Sequence, residues 1–424
     1  MSKLQTLGRR TFVALALVVA IALAAVLSGG AQAQTATPIK VGFSMSLTGA
    51  VAPNGRQLLL TLEIWRDDVN AAGGLLGRPV ELVYYDDQSN PANVPSIYTK
   101  LLTVDKVDLL LGPYATNMAA PAMPVIMQAD KMTITMLAIG VNRHFNYDRY
   151  FSMIPLGPGG VKDFSRGFFE LAAAQDPKPK TVAMVAADAE FARTSADGAK
   201  ENAKALGFSI VYDATYPPPT TDFAPTMRAV QAANADIVFV SAYPPDTVGI
   251  VRSAKEIGLT AKMFGGSMVG LLATPLKAQL GPLTNNIVIM ESFVPAFDFP
   301  GLQDMLAKYR SKAAGQQVDP FGYGFAPFGY AAGQILAQAV TETKSLDHDK
   351  LAKYIHATTF KTVAGDIAYN KDGDWTEPRI VFTQFRDVQP NDVAQFRDNA
   401  RQPILWPDKY KTGKIVYPYS EAKR

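Results

Sequence analysis

From residue 39 onward the chain alternates between short apolar runs and longer stretches in which apolar residues return every three or four positions. Residues 39–45 (IKVGFSM) predict a strand running into the turn Ser46-Leu47-Thr48-Gly49. From 55 to 71, Leu59, Leu62, Ile64, Trp65 and Val69 recur at helical spacing, and Gly73-Gly74 end that helix by supplying a left-handed exit. Residues 80–87 make a second strand, and the unit repeats as helix 91–104, strand 108–112, helix 118–130 and strand 132–137. After Pro155 a second series alternates helices 159–174, 192–206, 222–233 and 246–257 with strands 180–186, 208–213, 236–241 and 261–264, followed by strand 286–291. Helices are then expected over 299–314, 324–341 and 347–357, with extended segments around 366–370 and 378–385. The tail after Asn399, rich in Pro, Tyr and Lys, is expected to be irregular structure packed along one domain. Alternating β and α elements with short loops predict parallel sheets covered by helices on both faces. Two such series predict two domains, as a chain too long for one core requires.

Ahead of this pattern, Lys3, Arg9 and Arg10 precede an apolar run from Thr11 to Leu27, and the triplet Ala31-Gln32-Ala33 follows. A basic start, an apolar middle and a small-residue end mark residues 1–33 as a secretory signal peptide, with cleavage expected between Ala33 and Gln34. A retained membrane anchor is the alternative, but the run is near the lower limit for spanning a bilayer, roughly 17 residues. Gly8-Arg9-Arg10-Thr11-Phe12 loosely resembles a twin-arginine signal, whereas the strongly apolar core fits the general export route. The leader holds three of the 41 Lys+Arg and none of the 38 Asp+Glu, so the mature chain is neutral. With no Lys/Arg block, neither nucleic acid nor anionic lipid is expected as a partner. Cysteine is absent, so an exported fold of this size must stand on its core rather than on disulfides.

Catalytic signatures are missing. None of the three histidines, His144, His348 and His356, has metal-ligand spacing, and the polar surroundings of His348 and His356 predict solvated positions. There is no G-x-S-x-G, and Gly157-Pro158-Gly159-Gly160 fits no phosphate loop. Asp372-Gly373-Asp374 reads as a turn, and Asp86-Asp87, adjacent on a strand, face opposite sides of a sheet.

Several stretches together resemble the periplasmic solute-binding proteins of the type I, Leu/Ile/Val-binding kind that feed ABC importers. They are Ile39-Lys40-Val41-Gly42 with Leu47-Thr48-Gly49, Asn54-Gly55 opening the first helix, and Asp68-Val69-Asn70-Ala71-Ala72-Gly73-Gly74-Leu75-Leu76-Gly77-Arg78-Pro79 before the Asp86-Asp87 pair. Later come Leu111-Gly112-Pro113, the run from Gly249 to Leu259, and Gly365-Asp366-Ile367-Ala368-Tyr369-Asn370. The resemblance spans about Ile39 to Asp387. It implies an α/β, type I periplasmic-binding-protein fold: two doubly wound parallel-sheet lobes joined by a three-segment hinge and closing on a ligand. The crossings are expected near Met153, Met290 and Gly365, giving one lobe from 38–153 plus 290–365 and another from 154–289 plus 366–424. Partners implied are a small-molecule ligand and the permease subunits, with a monomeric chain and no cofactor or metal.

In such sheets ligands sit beyond the carboxyl ends of strands, near helix N-termini. Thr116 or Asn117 can cap the helix after Tyr114-Ala115, and the family's ligand carboxylate binds at the place of Ala115-Thr116; a purely structural cap is the plainer reading. Asn54, at the start of the first helix, is a further candidate. Where amino-acid-binding members carry a small residue and a hydroxyl, this chain has Leu137-Ala138-Ile139, so that side-chain hydrogen bond cannot form; core packing is the alternative for Ile139. Phe191 falls where the family has a Tyr-Gly pair, and Tyr243 matches a cleft tyrosine, though strand-end tyrosines commonly just pack. Ser267, in Gly265-Gly266-Ser267-Met268, stands where amino-acid binders place a carboxylate for the ligand's ammonium. Tyr323, Phe325 and Phe328 offer further rings and are equally readable as helix–sheet packing. An unpaired buried ammonium costs several kcal/mol, so the expected ligand is an apolar or aromatic carboxylate. A branched-chain amino acid is the alternative within the class; a ligand-sensing regulatory domain, or a hydrolase with an unrecognised site, lies outside it.

Overall fold

The computed structural model describes residues 37–421, so the leader over residues 1–33 and its cleavage site lie outside the described residues. Two parallel sheets carry the fold. The first runs β2-β1-β3-β4-β5, from β1 (Ile39–Met45), β2 (Val80–Asp86), β3 (Leu109–Tyr114), β4 (Thr133–Met136) and β5 (Tyr150–Ser152). β1 lies between β2 and β3, with Val41 opposite both Leu82 and Leu109. The second comprises β6 (Thr181–Ala187), β7 (Ser209–Tyr216), β8 (Ile237–Ala242), β9 (Met263–Met268), β10 (Val288–Glu291), β13 (Val381–Gln384) and β14 (Ile404–Trp406). Its order is β14-β13-β10-β9-β8-β6-β7. β6 to β10 are parallel, while β13 and β14 add antiparallel at one edge. β11 (Phe360–Thr362) and β12 (Gly365–Ile367) form a separate ribbon.

Central strands such as β8 (IVFVSA) are buried along their whole length, as strands covered by helices on both faces must be. The helix Ala52–Ala71 lays Leu58, Leu62 and Trp65 into the first core and packs against the helix Ala326–Thr343. Gly329 and Gly333 permit that approach. A Cβ at Gly333 would stand 2.3 Å from the Trp65 ring, and one at Gly329 would stand 2.5 Å from Thr61 Oγ1. The close contact fixes where the second helix begins, and Phe325 is the residue just before it.

The chain passes between the sheets after Ser152, after Glu291 and between Ile367 and Val381. The crossing expected near Gly365 therefore comes later, whereas the second passage begins one residue after Met290. Met290 is still inside β10, and residues 366–375 remain against the first lobe, where Ser152 N–H donates to the Gly373 carbonyl and Trp375 Nε1–H to that of Ser152 (2.8 and 2.9 Å). The first and third passages then run side by side, Arg379 N–H bonding to Pro155 O at 2.9 Å. Asp372-Gly373-Asp374 is a turn closed by Asn370, whose Oδ1 accepts from both Asp372 and Asp374 N–H. The Asp86-Asp87 pair is spent on the first loop: Asp86 accepts from Leu47 and Thr48, and Asp87 from the Ser44 and Ser46 hydroxyls. The tail extends the second sheet through β14 and is otherwise short turns and irregular chain.

His348 is buried, not solvated. It opens the helix His348–Ala357 and ties it to the first sheet, Nδ1 accepting from Met132 N–H and Nε2–H donating to Asp108 O, both at 3.0 Å. That pattern requires the neutral ring. Burial, aided by the Lys131 charge, pushes its pKa down to about 4 from 6.5. The unfolded chain thus takes up this proton first as pH falls, and stability drains away between about pH 6.5 and 4. In His348→Gln the difference in unfolding free energy between pH 7 and 4.5, measured by urea titration, is expected to shrink by roughly 2 kcal/mol. An unchanged difference would place the responsible proton elsewhere.

Candidate functional site

Strand ends of both lobes converge on one ring-lined cavity, the place where such sheets hold small molecules. Tyr114 ends β3, with Ala115 and Thr116 following it; Leu137 and Ile139 follow β4, and Ile154 lies on the first passage. From the second lobe come Phe164, Phe191 and Tyr243, together with Val269 and Leu272 after β9 and Met290 and Ser292 at the end of β10. Val51 and Phe325 complete it. Rings meet edge to face in the wall: Phe164 with Phe191 at 5.8 Å, Phe191 with Tyr243 at 5.6 Å, and Tyr114 with Phe325 at 5.8 Å. No lining residue carries a charged side chain.

The polar groups are few and specific. Ala115 sits at φ 74°, ψ 148° just before the helix Thr116–Gln128, a conformation that costs a side-chain-bearing residue about 1–3 kcal/mol. Its N–H bonds to Met136 O at 3.2 Å, and Leu137 beyond that carbonyl is itself left-handed at φ 52°. The helix's first N–H groups, Thr116 and Asn117 among them, have no intrahelical acceptor, and the positive end of its dipole lies at the cavity wall. Thr116 Oγ1 accepts from Ile139 N–H at 3.0 Å, which leaves its proton free to donate. Neither Thr116 nor Asn117 caps the helix, because each side chain is engaged elsewhere. Asn117 Oδ1 accepts from Phe191 N–H at 3.0 Å and from the Tyr243 hydroxyl at 2.8 Å, both from the other lobe. Burial pushes the Tyr243 phenol up to about 12, so it remains a donor at neutral pH.

Four expected site residues do not line the cavity. Asn54 stands behind Tyr114, donating from Nδ2 to its hydroxyl at 2.9 Å. Ala138 turns to the opposite side and packs with Ala119, Met123, Val141 and Tyr150. Tyr323 bonds to Arg397 O and lines a smaller space behind Leu272. Ser267 is fully buried inside β9, where its Oγ accepts from Ser195 Oγ at 2.9 Å. Phe328, the third ring considered, is buried against Phe293 and Trp375 instead. Sequence reasoning missed Val51, Ile154, Phe164, Val269, Leu272, Met290 and Ser292. The position of a residue just past a strand end was the only signal for most of them, and it required the correct strand boundary.

Two doubly wound lobes with an apolar cavity at their facing strand ends define a hinged small-molecule-binding fold, that of the type I periplasmic binding proteins. Residues 38–387 match the family described as periplasmic binding protein, and the chain belongs to that family. It is 24% identical over 345 residues to a leucine-, isoleucine-, valine-, threonine- and alanine-binding protein of Pseudomonas aeruginosa, covering 80% of this chain and 87% of that one. It is 26% identical to a Leu/Ile/Val-binding protein homolog of Brucella melitensis, covering 85% and 93%. Among solved structures, an ABC-transporter solute-binding protein of Rhodopseudomonas palustris in complex with p-hydroxybenzoic acid superposes with a TM-score of 0.73 at 20% identity, covering 88% of this chain and 98% of that one. A leucine-binding protein of Thermotoga maritima gives 0.71 at 18% identity, covering 82% and 96%.

Asn117 thus fastens the lobes through two hydrogen bonds, each worth about 1 kcal/mol net. Asn117→Ala is expected to favour lobe opening, read as a larger radius of gyration for the ligand-free protein by small-angle X-ray scattering. A scattering curve identical to that of the wild type would show that the fastening lies elsewhere.

Proposed function

We propose that this protein is the extracytoplasmic solute-binding component of an ABC importer. In this reading it leaves the cytoplasm by a leader cleaved near Ala33-Gln34, captures a small apolar or aromatic carboxylate between its lobes as a monomer, and presents it to the permease subunits in the inner membrane. It binds and releases; it does no chemistry. The observation that carries the reading is the uncharged, ring-lined cavity beside the N-terminus of Thr116–Gln128. Free N–H groups, the helix dipole and the Thr116 hydroxyl suit a carboxylate without any side-chain cation. A closed cavity with no carboxylate in its wall is poorly suited to an ammonium group, whose unpaired burial costs several kcal/mol. Solved relatives hold benzoate, 3,4-dihydroxybenzoic acid and p-hydroxybenzoic acid in this fold.

A branched-chain amino acid is the second reading, favoured by relatives named as Leu/Ile/Val-binding proteins. It requires neutral oxygens alone to hold the ammonium.

Thermal unfolding separates the two, because a ligand that binds only the native state raises Tm with concentration. Benzoate and its ring-substituted analogues are expected to give a saturable rise, and leucine and isoleucine none; a rise with leucine alone would select the second reading. Tyr243→Ala removes a ring from the wall and one interlobe bond. It is expected to weaken binding of the aromatic acid at least tenfold, about 1.4 kcal/mol, by titration calorimetry. A folded variant with an unchanged Kd would remove Tyr243 from the site.

A further inference from the structure

The cavity has a mouth and a floor, and they differ chemically. Val51, Ala115 and Tyr243 line both the cavity and the open cleft outside it, so they mark the mouth. At the other end Leu272 separates it from a smaller space lined by Gly324 and Glu291. Ser292, only 3% exposed, belongs to that end. Its hydroxyl reaches the Gly324 carbonyl at 3.5 Å, the outer limit of a hydrogen bond. A hydroxyl held so loosely keeps both donor and acceptor capacity. Glu291 turns the other way: Gln402 Nε2 donates to its carboxylate at 2.6 Å, and Lys277 Nζ lies 3.7 Å from it. The floor is polar without being charged.

We propose that Ser292 makes this floor a specificity subsite for a neutral hydroxyl on the ligand, so that the preferred ligand is a hydroxyaryl carboxylate whose hydroxyl is remote from its acid group. The assignment rests on the carboxylate reading above, with the acid at the Thr116 end beside the mouth. A ring hydroxyl reaching the floor exchanges a hydrogen bond with the Ser292 hydroxyl, as donor or as acceptor. A hydrogen or methyl group in its place leaves Ser292 buried without a good partner, and a site built for a hydroxyl discriminates against ligands that lack one.

Titration calorimetry of benzoate, 4-methylbenzoate and 4-hydroxybenzoate against the mature protein and Ser292→Ala tests this. The wild type is expected to prefer 4-hydroxybenzoate over 4-methylbenzoate by about tenfold or more. Ser292→Ala is expected to cut that preference to about threefold or less. Equal wild-type affinities, or an undiminished preference in the variant, overturn the subsite and leave the carboxylate reading standing. Failure of all three acids to bind overturns both. Should the variant not fold, the wild-type comparison decides alone.

Discussion

A charge closed into an apolar cavity without a partner costs several kcal/mol, and the cleft is arranged around that constraint. Its wall contains rings, aliphatic side chains and hydroxyls, and every polar group in it is neutral. The nearest carboxylates are turned outward or paired: Asp246 lies at the mouth with its carboxylate receiving the Tyr216 hydroxyl at 3.0 Å, and Glu291 faces Gln402 and Lys277. What positive potential the wall has comes from the backbone, at one helix N-terminus. Such a wall discriminates through what it refuses to pair as much as through what it bonds.

The backbone at that N-terminus is held under strain. Ala115 and Leu137 occupy positive φ on neighbouring strand ends, linked by the Ala115 N–H to Met136 carbonyl bond. The surrounding structure over-determines both conformations: Thr116 is tied to Ile139, Asn117 to the opposite lobe, and the core closes behind them. Closure and ligand pocket therefore share residues. Tyr243 is at once a wall of the cavity and a donor across the cleft. A ligand packed against its ring stabilises the closed arrangement only through contacts that exist in that arrangement.

Hydrophobic periodicity made the two series of βα units visible in the sequence, because long buried strands and amphipathic helices announce their faces. Short elements escaped it: β5 and β14 have three residues each, and the helix Asn142–Phe145 is a single turn. The misplacement of Ser267 has one local cause. Gly265-Gly266 reads as a loop, yet β9 continues through Met268, and a Cβ at Gly265 would fall 1.7 Å from Val288 O. The glycines allow close strand approach, so the true strand-end loop begins at Val269 and supplies Val269 and Leu272 to the cavity. Asn117 was visible only as a helix-start residue, since its partners lie 74 and 126 positions away. His348 misled through its polar neighbours in sequence, which face away while the ring turns to the sheet.

The family match ends at residue 387, but the second lobe does not. Beyond it, β14 pairs with β13, Asn399 Oδ1 accepts Ala296 N–H at 2.8 Å, and the Tyr410 ring packs on Phe297 at 5.0 Å. Gln402 alone touches Glu291, Lys277 and Thr383, and burial already pushes the Glu291 carboxyl up to about 7 in spite of Lys277. A chimera that joins this matched region to another protein's tail would strand that acid and its lysine with no amide between them, directly beneath the linker leading to Ser292. The extension is thus a buttress for the hinge, and the folding unit of this binding protein runs past the stretch that the family match covers.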